Sequence, residues 1–135
     1  MKGRITINDL FPRRFVRGQD LNGPLLVRIT KIDTAVVHPR PGMSERVYVL
    51  WFDNLDPRTW QTVKLPGFLC GPYGYAVIMR RKLAEQIAAA LGTDVVSDWL
   101  GRVVVFEPKR AFGKQTLTAR ASKQIPLRHS NKGQR

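Results

Sequence analysis

One stretch of the sequence has the periodicity of an amphipathic helix, inside a chain whose other apolar segments alternate like strands. Apolar side chains recur at intervals of three or four residues at Ala76, Met79, Leu83, Ile87 and Leu91. This spacing places them on one face of a helix, and Gly92 follows as a C-terminal stop. A helix of this kind must bury its apolar face against other elements. The pattern predicts a mainly β domain with one helix, at residues 76–91.

Five other segments have the composition of β-strands. In the first, Val27 and Ile29 alternate with Arg28 and Thr30, which is the period of a half-buried strand. Pro and Gly residues interrupt the chain between these segments, as expected for turns and loops. The predicted strands are residues 25–37, 46–52, 60–65, 102–107 and 116–122.

The predicted order is three strands, one helix and two strands. This is the order of the OB-fold, a five-stranded Greek-key barrel that binds oligonucleotides on its second and third strands and on the loops joining strands one and two and strands four and five. An SH3-like barrel normally lacks so long a helix, and a ferredoxin-like sandwich needs an early crossover helix. We therefore predict one OB-fold-like domain with a short N-terminal lead over residues 1–122, followed by a disordered basic tail at 123–135.

The charge of the chain predicts an anionic partner. Lys and Arg number 23 against 10 Asp and Glu, which gives a formal net charge of +13 over 135 residues. Such an excess favours polyanions and says nothing about the fold. Residues 101–135 hold nine of the basic residues and one Glu. Part of this charge lies in the predicted loop between strands four and five, and the rest in a tail that either attracts nucleic acid diffusely or only aids solubility.

Length and cysteine content exclude several classes of protein. A chain of 135 residues fits a single domain and excludes a multidomain enzyme. Its one cysteine, Cys70, excludes an intrachain disulfide. The longest apolar runs, residues 47–52 and 103–106, are far shorter than the ~20 residues of a membrane helix. The N-terminus lacks the apolar core of a signal peptide, so we expect a cytoplasmic protein without membrane contact.

The sequence contains no motif typical of catalysis. His38 and His129 do not have metal-ligand spacing with each other or with Cys70. A Gly-rich phosphate loop and a nucleophile motif are also missing from the sequence. Asp53 and Asp56 are close in sequence, but the residues around Asp56 are typical of a turn. We expect a non-enzymatic protein with no cofactor and no metal site.

Aromatic residues on the second predicted strand are candidates for stacking on nucleic-acid bases, an interaction worth about 1–3 kcal/mol per base. Residues 46–52 are apolar on both faces, so alternation leaves two registers open. In one, Val47, Val49 and Trp51 join the core, and Tyr48 and Phe52 lie outside. In the other register, Trp51 is the stacking ring.

Cations and aromatic rings also occur together in the predicted loops. Phe112 lies among Lys109, Arg110 and Lys114, a combination that favours contact with both bases and phosphates. The predicted nucleic-acid contacts are Arg28, Arg40, Arg46, Tyr48, Phe52, Trp60, Lys64, Lys109, Arg110, Phe112, Lys114 and Arg120.

Several short motifs resemble a family of small phage and prophage proteins. They lie at residues 10–15, 20–23, 48–52, 90–92 and 98–102, and the resemblance covers residues 8–121. It implies a single-stranded DNA-binding role in replication or recombination. Two features depart from the pattern: an insert at residues 53–73, and a basic tail where many single-strand binders carry an acidic one.

We therefore expect sequence-tolerant binding of single-stranded DNA. RNA and duplex DNA are possible alternative ligands of the same charge. A different hypothesis is a structural or protein-interaction module of a phage complex whose basic tail binds nucleic acid unspecifically. Partner proteins of replication or recombination, and a homo-oligomer formed through an exposed edge of the first or fourth strand, are further expected partners.

Overall fold

The computed structural model describes residues 13–111 and 113–122. In this part of the chain five strands and one α-helix follow one another as β1 (Leu25–Val37), β2 (Glu45–Leu55), β3 (Tyr75–Met79), α1 (Arg81–Leu91), β4 (Val103–Ala111) and β5 (Lys114–Ala121). Short 3₁₀ turns lie at Gly18–Asp20 and Val96–Trp99.

The prediction of a mainly β domain with one helix is confirmed. No helix among the described residues is long and apolar enough to cross a membrane.

The third strand differs from the prediction. Residues 60–65 form a loop that makes a single bridge, between Leu55 and Thr62, so the strand predicted there is wrong. The third strand is Tyr75–Met79, and the helix begins at Arg81 rather than near Ala76. The Tyr75–Met79 segment is apolar throughout, a pattern that fits a buried strand as well as a helix turn. Pairing with β2 decides in favour of the strand.

The strands form one sheet in the order β3-β2-β1-β4-β5, and all neighbours are antiparallel. β1 pairs with β2 over most of its length, while only residues 25–28 also pair with β4. β3 and β5 are therefore the two edges of the sheet. The helix packs beside β5, where the side-chain oxygen of Gln86 accepts a hydrogen bond of 3.0 Å from the backbone N–H of Ala119.

A bulge in β1 decides which side chains face outward. The pairing register with β2 shifts between Ile29 and Lys31. Before the bulge, Ile29 lies in the core opposite Phe52; after it, Lys31 lies opposite Trp51 on the other face of the sheet. An extra residue in one strand of an antiparallel pair has this effect on alternation. We call the face that carries Lys31 and Trp51 the outer face.

The main core lies on the inner face of the sheet, against α1. Trp99, Phe52 and Phe106 are its largest fully buried side chains, and the rings of Phe52 and Phe106 meet edge to face with centroids 5.3 Å apart. Two smaller apolar clusters cover parts of the outer face. One contains Leu26, Leu55 and Val105 with Trp60, and the other contains Val47, Val49 and Ala76 with Phe15 and Trp51.

The segment of residues 13–21, here called the N-terminal segment, lies between the two edges of the sheet. On one side, the backbone N–H of Val16 donates a 2.8 Å hydrogen bond to the carbonyl of Ala76 in β3. On the other side, the amide of Gln115 in β5 donates to the carbonyls of Gly18 and Leu21, at 3.2 and 3.1 Å. The N-terminal segment thus links β3 to β5, and we call this junction the seam.

Candidate nucleic-acid interface

Tyr73 lies in a tight turn that is pressed against β2. Gly71 and Gly74 exchange two backbone hydrogen bonds, of 2.9 and 3.0 Å, around the turn. Gly74 has a φ of +94°, and a methyl group there would overlap the carbonyl of Phe52. Only glycine combines this conformation with so close an approach. The hydroxyl of Thr30 in β1 donates a 2.5 Å hydrogen bond to the carbonyl of Tyr73, which holds the turn on the outer face.

Trp51, Tyr73 and Lys31 meet on the outer face, and we call this group the aromatic cluster. The two rings are 6.3 Å apart between centroids, with an angle of 63° between their planes. The ammonium of Lys31 lies 4.3 Å from the centroid of Tyr73 and 5.5 Å from that of Trp51, within cation–π distance. Tyr73 is 45% exposed and Trp51 is half-buried. The cluster offers accessible aromatic surface next to a cation.

The surroundings of the aromatic cluster carry charges of both signs. Arg28 lies directly opposite Asp53 in the pairing of β1 with β2, and Asp33 is exposed on the same strand as Lys31. Opposite charges across a strand pair stabilise it and cancel each other's field at a distance. The outer face is therefore distinguished by its rings rather than by its net charge.

A groove of about 1150 Å³ runs along the seam, and we call it the seam groove. The N-terminal segment, the end of β3, the beginning of α1 and the β4–β5 hairpin all contribute to its walls. None of its described lining residues is acidic, and seven are basic: Arg13, Arg14, Arg17, Arg80, Lys82, Lys109 and Lys114.

Some of these cations have carboxylate partners. Asp20 binds Arg13 at 2.7 Å and lies 3.6 Å from Arg17. Arg80 is paired with Glu45 at 3.1 Å, and both side chains are exposed, so water screens this pair. The other four basic lining residues have no carboxylate partner within residues 13–111 and 113–122: Arg14, Lys82, Lys109 and Lys114.

The beginning of α1 adds to the positive potential. Its N-cap residue, Arg80, makes no capping hydrogen bond through its side chain, and the first turn holds no acidic residue. That turn instead carries Arg81 and Lys82. The positive end of the helix dipole normally attracts acidic side chains, so cations at this end raise the local potential.

The second of the two predicted registers of β2 is the one found. Phe52 faces the core and is fully buried, so its predicted role as an exposed stacking ring is wrong. The physical reason is the second apolar cluster on the outer face. Because this cluster buries Val47 and Val49 as well, alternation in the sequence could not show which set faces the main core. Trp51 is the aromatic residue of β2 that lies on the outer face.

Three of the predicted contacts lie on the β1–β2 hairpin, away from the aromatic cluster. Tyr48 lies opposite Thr34, near the start of β2, and is 60% exposed. Arg46 is exposed two residues further toward the loop, and Arg40 is exposed within the loop. The hairpin thus brings one exposed ring and two cations to one projecting element.

The β4–β5 hairpin differs from the predicted loop. Lys109 and Arg110 belong to β4 and are paired with residues of β5, while Lys114 begins β5. Two residues separate the end of β4 from the start of β5, so the turn is shorter than expected. Lys109 and Lys114 line the seam groove. Phe112 and the predicted tail at 123–135 lie outside the described residues.

The remaining predicted contacts are separate from both regions. Trp60 is half-buried in a turn, where it has a φ of 61° and packs against Leu26, Leu55 and Val105. Lys64 is exposed in the loop after it. Arg120 forms a 2.6 Å ion pair with Glu107 on the neighbouring strand.

Tyr75 holds the loop after Trp60 against the sheet. Its hydroxyl accepts a 2.8 Å hydrogen bond from the backbone N–H of Leu65. Burial raises the pKa of Tyr75 above its ordinary value of 10.0, and this hydrogen bond acts in the opposite direction. The hydroxyl is therefore neutral at physiological pH.

Of the side chains with catalytic potential in the sequence, Asp56 makes structural hydrogen bonds and Cys70 is exposed. Asp56 organises a turn, since its carboxylate accepts a 2.8 Å hydrogen bond from the N–H of Arg58 and its carbonyl accepts one of 2.7 Å from the N–H of Trp60. Cys70 is an exposed free thiol. Among the described residues, no three His, Cys, Asp or Glu side chains are grouped so that they could hold a metal ion.

Sequence reasoning missed most of the residues that form the two regions. Lys31 and Tyr73 were not among the predicted contacts, although the run Gly71-Pro72-Tyr73-Gly74 has the composition of an exposed turn. The basic lining residues outside the β4–β5 hairpin were missed as well: Arg13, Arg14, Arg17, Arg80 and Lys82. They come from segments that only the tertiary fold brings together.

Comparisons with known proteins identify no relative. A scan against models of protein families, a search of curated proteins and a search of solved structures each gave no match. What the chain binds must therefore be argued from its own side chains.

Proposed function

We propose that the protein binds single-stranded nucleic acid, and single-stranded DNA in particular, without catalysing a reaction. The observation that carries this proposal is the aromatic cluster: two accessible rings with the ammonium of Lys31 above them on the outer face. Proteins that bind single strands with little sequence preference combine aromatic surfaces for the bases with cations for the backbone. The cluster supplies both within one small area.

The geometry supports a specific mode of contact. Tyr73 is the more exposed ring and would stack on a base, while the half-buried Trp51 would support the neighbouring base at its exposed edge. The ammonium of Lys31 would leave the rings and contact a phosphate, which is a stronger partner than a ring face. Stacking needs an unpaired base with a free face, so this mode favours single strands over duplexes.

We also propose that the domain is an OB-fold-like barrel. The proposal is supported by one sheet of five antiparallel strands and by the helix between the third and fourth strands. In that fold, the second and third strands form the oligonucleotide-binding face. Trp51 belongs to β2, and the turn that holds Tyr73 leads directly into β3. In this proposal, the N-terminal segment closes the barrel at the seam.

The biological setting is proposed from the resemblance alone. Short motifs that resemble those of small phage and prophage proteins favour a role in replication or recombination. A second candidate function is that of a protein-interaction module, favoured by three exposed apolar side chains around the second 3₁₀ turn, Val95, Val96 and Leu100. Sedimentation of the wild type and of Val96→Ser at high concentration tests this candidate, because a self-association site should weaken in the variant.

Fluorescence anisotropy tests the main proposal on three labelled ligands: oligo-dT, the matching duplex, and RNA of the same length. We expect tighter binding of single strands than of duplex. Trp51→Ala should weaken single-strand binding by about 1–3 kcal/mol, while Trp51→Phe, which keeps a ring, should lose less. Thermal unfolding of each variant shows whether the fold is retained. Equal affinity for duplex and single strand, or unchanged binding by a folded Trp51→Ala, would contradict the proposal.

A further inference from the structure

We propose that the seam groove is a second, separate binding site, and that its ligand is the phosphodiester backbone of a nucleic acid. This site does not depend on the aromatic cluster, since the two regions share no lining residue. It would bind a backbone even if the outer face did not stack bases.

Charge is the first argument. The described lining of the groove carries seven Lys and Arg and no Asp or Glu. Asp20 compensates part of the charge of Arg13 and Arg17, yet Arg14, Lys82, Lys109 and Lys114 have no carboxylate partner within the described residues. Concave surfaces lined by one sign of charge concentrate the electric field and attract counter-ions. The groove is therefore an attractive site for an anion.

The distribution of the cations indicates an extended anion. Arg14 comes from the N-terminal segment, Lys82 from the first turn of α1, and Lys109 and Lys114 from the β4–β5 hairpin. The groove, at about 1150 Å³, is many times larger than one phosphate group, so a single phosphate would fill only a small part of it. A chain of phosphates lying in the groove would contact all of these cations.

The floor of the groove supports a nucleic-acid ligand. Apolar side chains of Val77, Leu83 and Leu117 also line it. Sugars and bases present apolar surface between their phosphates and would cover this floor. A flat membrane surface would touch only the rims of a concave groove. We therefore assign the groove to a nucleic-acid backbone rather than to anionic lipid.

The salt dependence of binding tests this inference. Each phosphate contact to a single strand contributes about 0.7 to the slope of log K against log salt. The variant Arg14→Gln/Lys82→Gln/Lys114→Gln removes three unpaired cations and should reduce the slope for oligo-dT by about 2. A matched control, Arg58→Gln/Lys64→Gln/Arg102→Gln, removes the same charge from exposed positions outside the groove. We expect the control to change the slope much less.

The two proposals fail in distinguishable ways. Loss of ring contacts in Trp51→Ala should lower affinity at every salt concentration and leave the slope unchanged. Equal slopes for the groove variant and its control would overturn the seam groove as a binding site, whatever Trp51→Ala does. Binding to phosphatidylserine vesicles that depends on the groove cations, with unaltered oligonucleotide binding, would also overturn it, in favour of a lipid ligand.

Lysine acetylation of the wild-type protein gives a second measurement that needs no variant. Oligo-dT should protect Lys82, Lys109 and Lys114 from an amine-reactive reagent, as read by mass spectrometry. Lys64 is exposed outside the groove and serves as the internal reference. Protection of the three groove lysines that is no greater than that of Lys64 would contradict the inference.

Discussion

The aromatic cluster and the seam groove differ in how they are built and in the ligand proposed for each. The cluster is made by β1, β2 and one tight turn, and it contains two rings and a single cation with acidic residues nearby. The groove joins the N-terminal segment to β3, α1 and the β4–β5 hairpin, and the charged residues in the described part of its lining are all basic. One region is suited to the faces of bases and the other to the charge of the backbone.

By these proposals, the preference for single strands and most of the salt sensitivity reside in different parts of the molecule. Stacking gives affinity that depends little on salt, whereas phosphate contacts release counterions and lose affinity as salt rises. Variants that damage one region should therefore change mainly one of the two properties. The following substitutions test this separation, beginning with the largest expected effect.

Gly18→Ala should damage the seam groove most. A methyl group at Gly18 would overlap the backbone of Thr116 and Leu117, so the N-terminal segment must move away from β5. We expect a loss of about 1–3 kcal/mol in the free energy of unfolding, measured with urea, and a smaller salt slope for oligo-dT. Gly23→Ala is the matched control, because a methyl group there meets no atom within 4 Å. Equal stability of the two variants would show that the seam is not tightly closed.

Gly74→Ala should damage the aromatic cluster instead. The new methyl group would overlap the carbonyl of Phe52, and the left-handed conformation adds strain. We expect Tyr73 to move away from Trp51, which changes the near-ultraviolet circular dichroism and weakens the preference for single strands. The salt slope should be retained. Gly71→Ala is the control, since its methyl group would make only an ordinary contact of 3.8 Å with the carbonyl of Gly74. A reduced slope in Gly74→Ala would show that the regions are coupled.

Tyr73→Ala removes the more exposed ring without altering the turn. Single-strand affinity should fall by about 1–3 kcal/mol, the usual value of one stacked base. Tyr73→Phe keeps the ring and should bind nearly as the wild type does, as measured by anisotropy at constant salt. If both variants lose affinity equally, the hydroxyl rather than the stacking surface contributes to binding.

Lys31→Met should have the smallest effect on the affinity for single-stranded DNA. The side chain keeps most of its apolar stem but loses its charge, and an exposed cation–π contact is worth about 0.5–1 kcal/mol. Because one phosphate contact is lost, the salt slope should fall by about 0.7. A slope identical to that of the wild type would mean that the ammonium of Lys31 stays on the rings when the strand binds.

Local sequence patterns were sufficient for elements with clear boundaries. β1 has the predicted bounds, Leu25–Val37, because Pro24 and the Pro and Gly residues after His38 break the pattern on both sides. The end of the helix at Leu91 was also predicted, and Gly92 has the left-handed conformation typical of a C-terminal stop. The start of the helix was predicted too early, at Ala76 instead of Arg81. The short apolar run Tyr75–Met79 before the helix fits the period of a strand as well as that of a helix.

The candidate site was harder to predict for physical reasons. Trp51 was identified as a candidate only in one of two registers, because the outer face of β2 is covered by its own apolar cluster. The residues 80–82 are typical of a solvated helix face in the sequence, and Arg81 does pair with Glu85 at 2.9 Å. Contacts across the seam join residues that are distant in the sequence, such as Gln115 and Gly18, which are 97 positions apart, and no local pattern reports such contacts.

The closure of the seam also constrains how the protein is made. Gln115 reaches back across 97 residues to the carbonyl of Gly18. On a ribosome, the N-terminal segment emerges well before its partner strand β5 has been synthesised. Contacts between such distant positions form late and slow the folding of a chain. During synthesis, the basic residues at 13–17 are therefore exposed before the groove exists, so a nascent chain carries part of the proposed anion site before that site has formed.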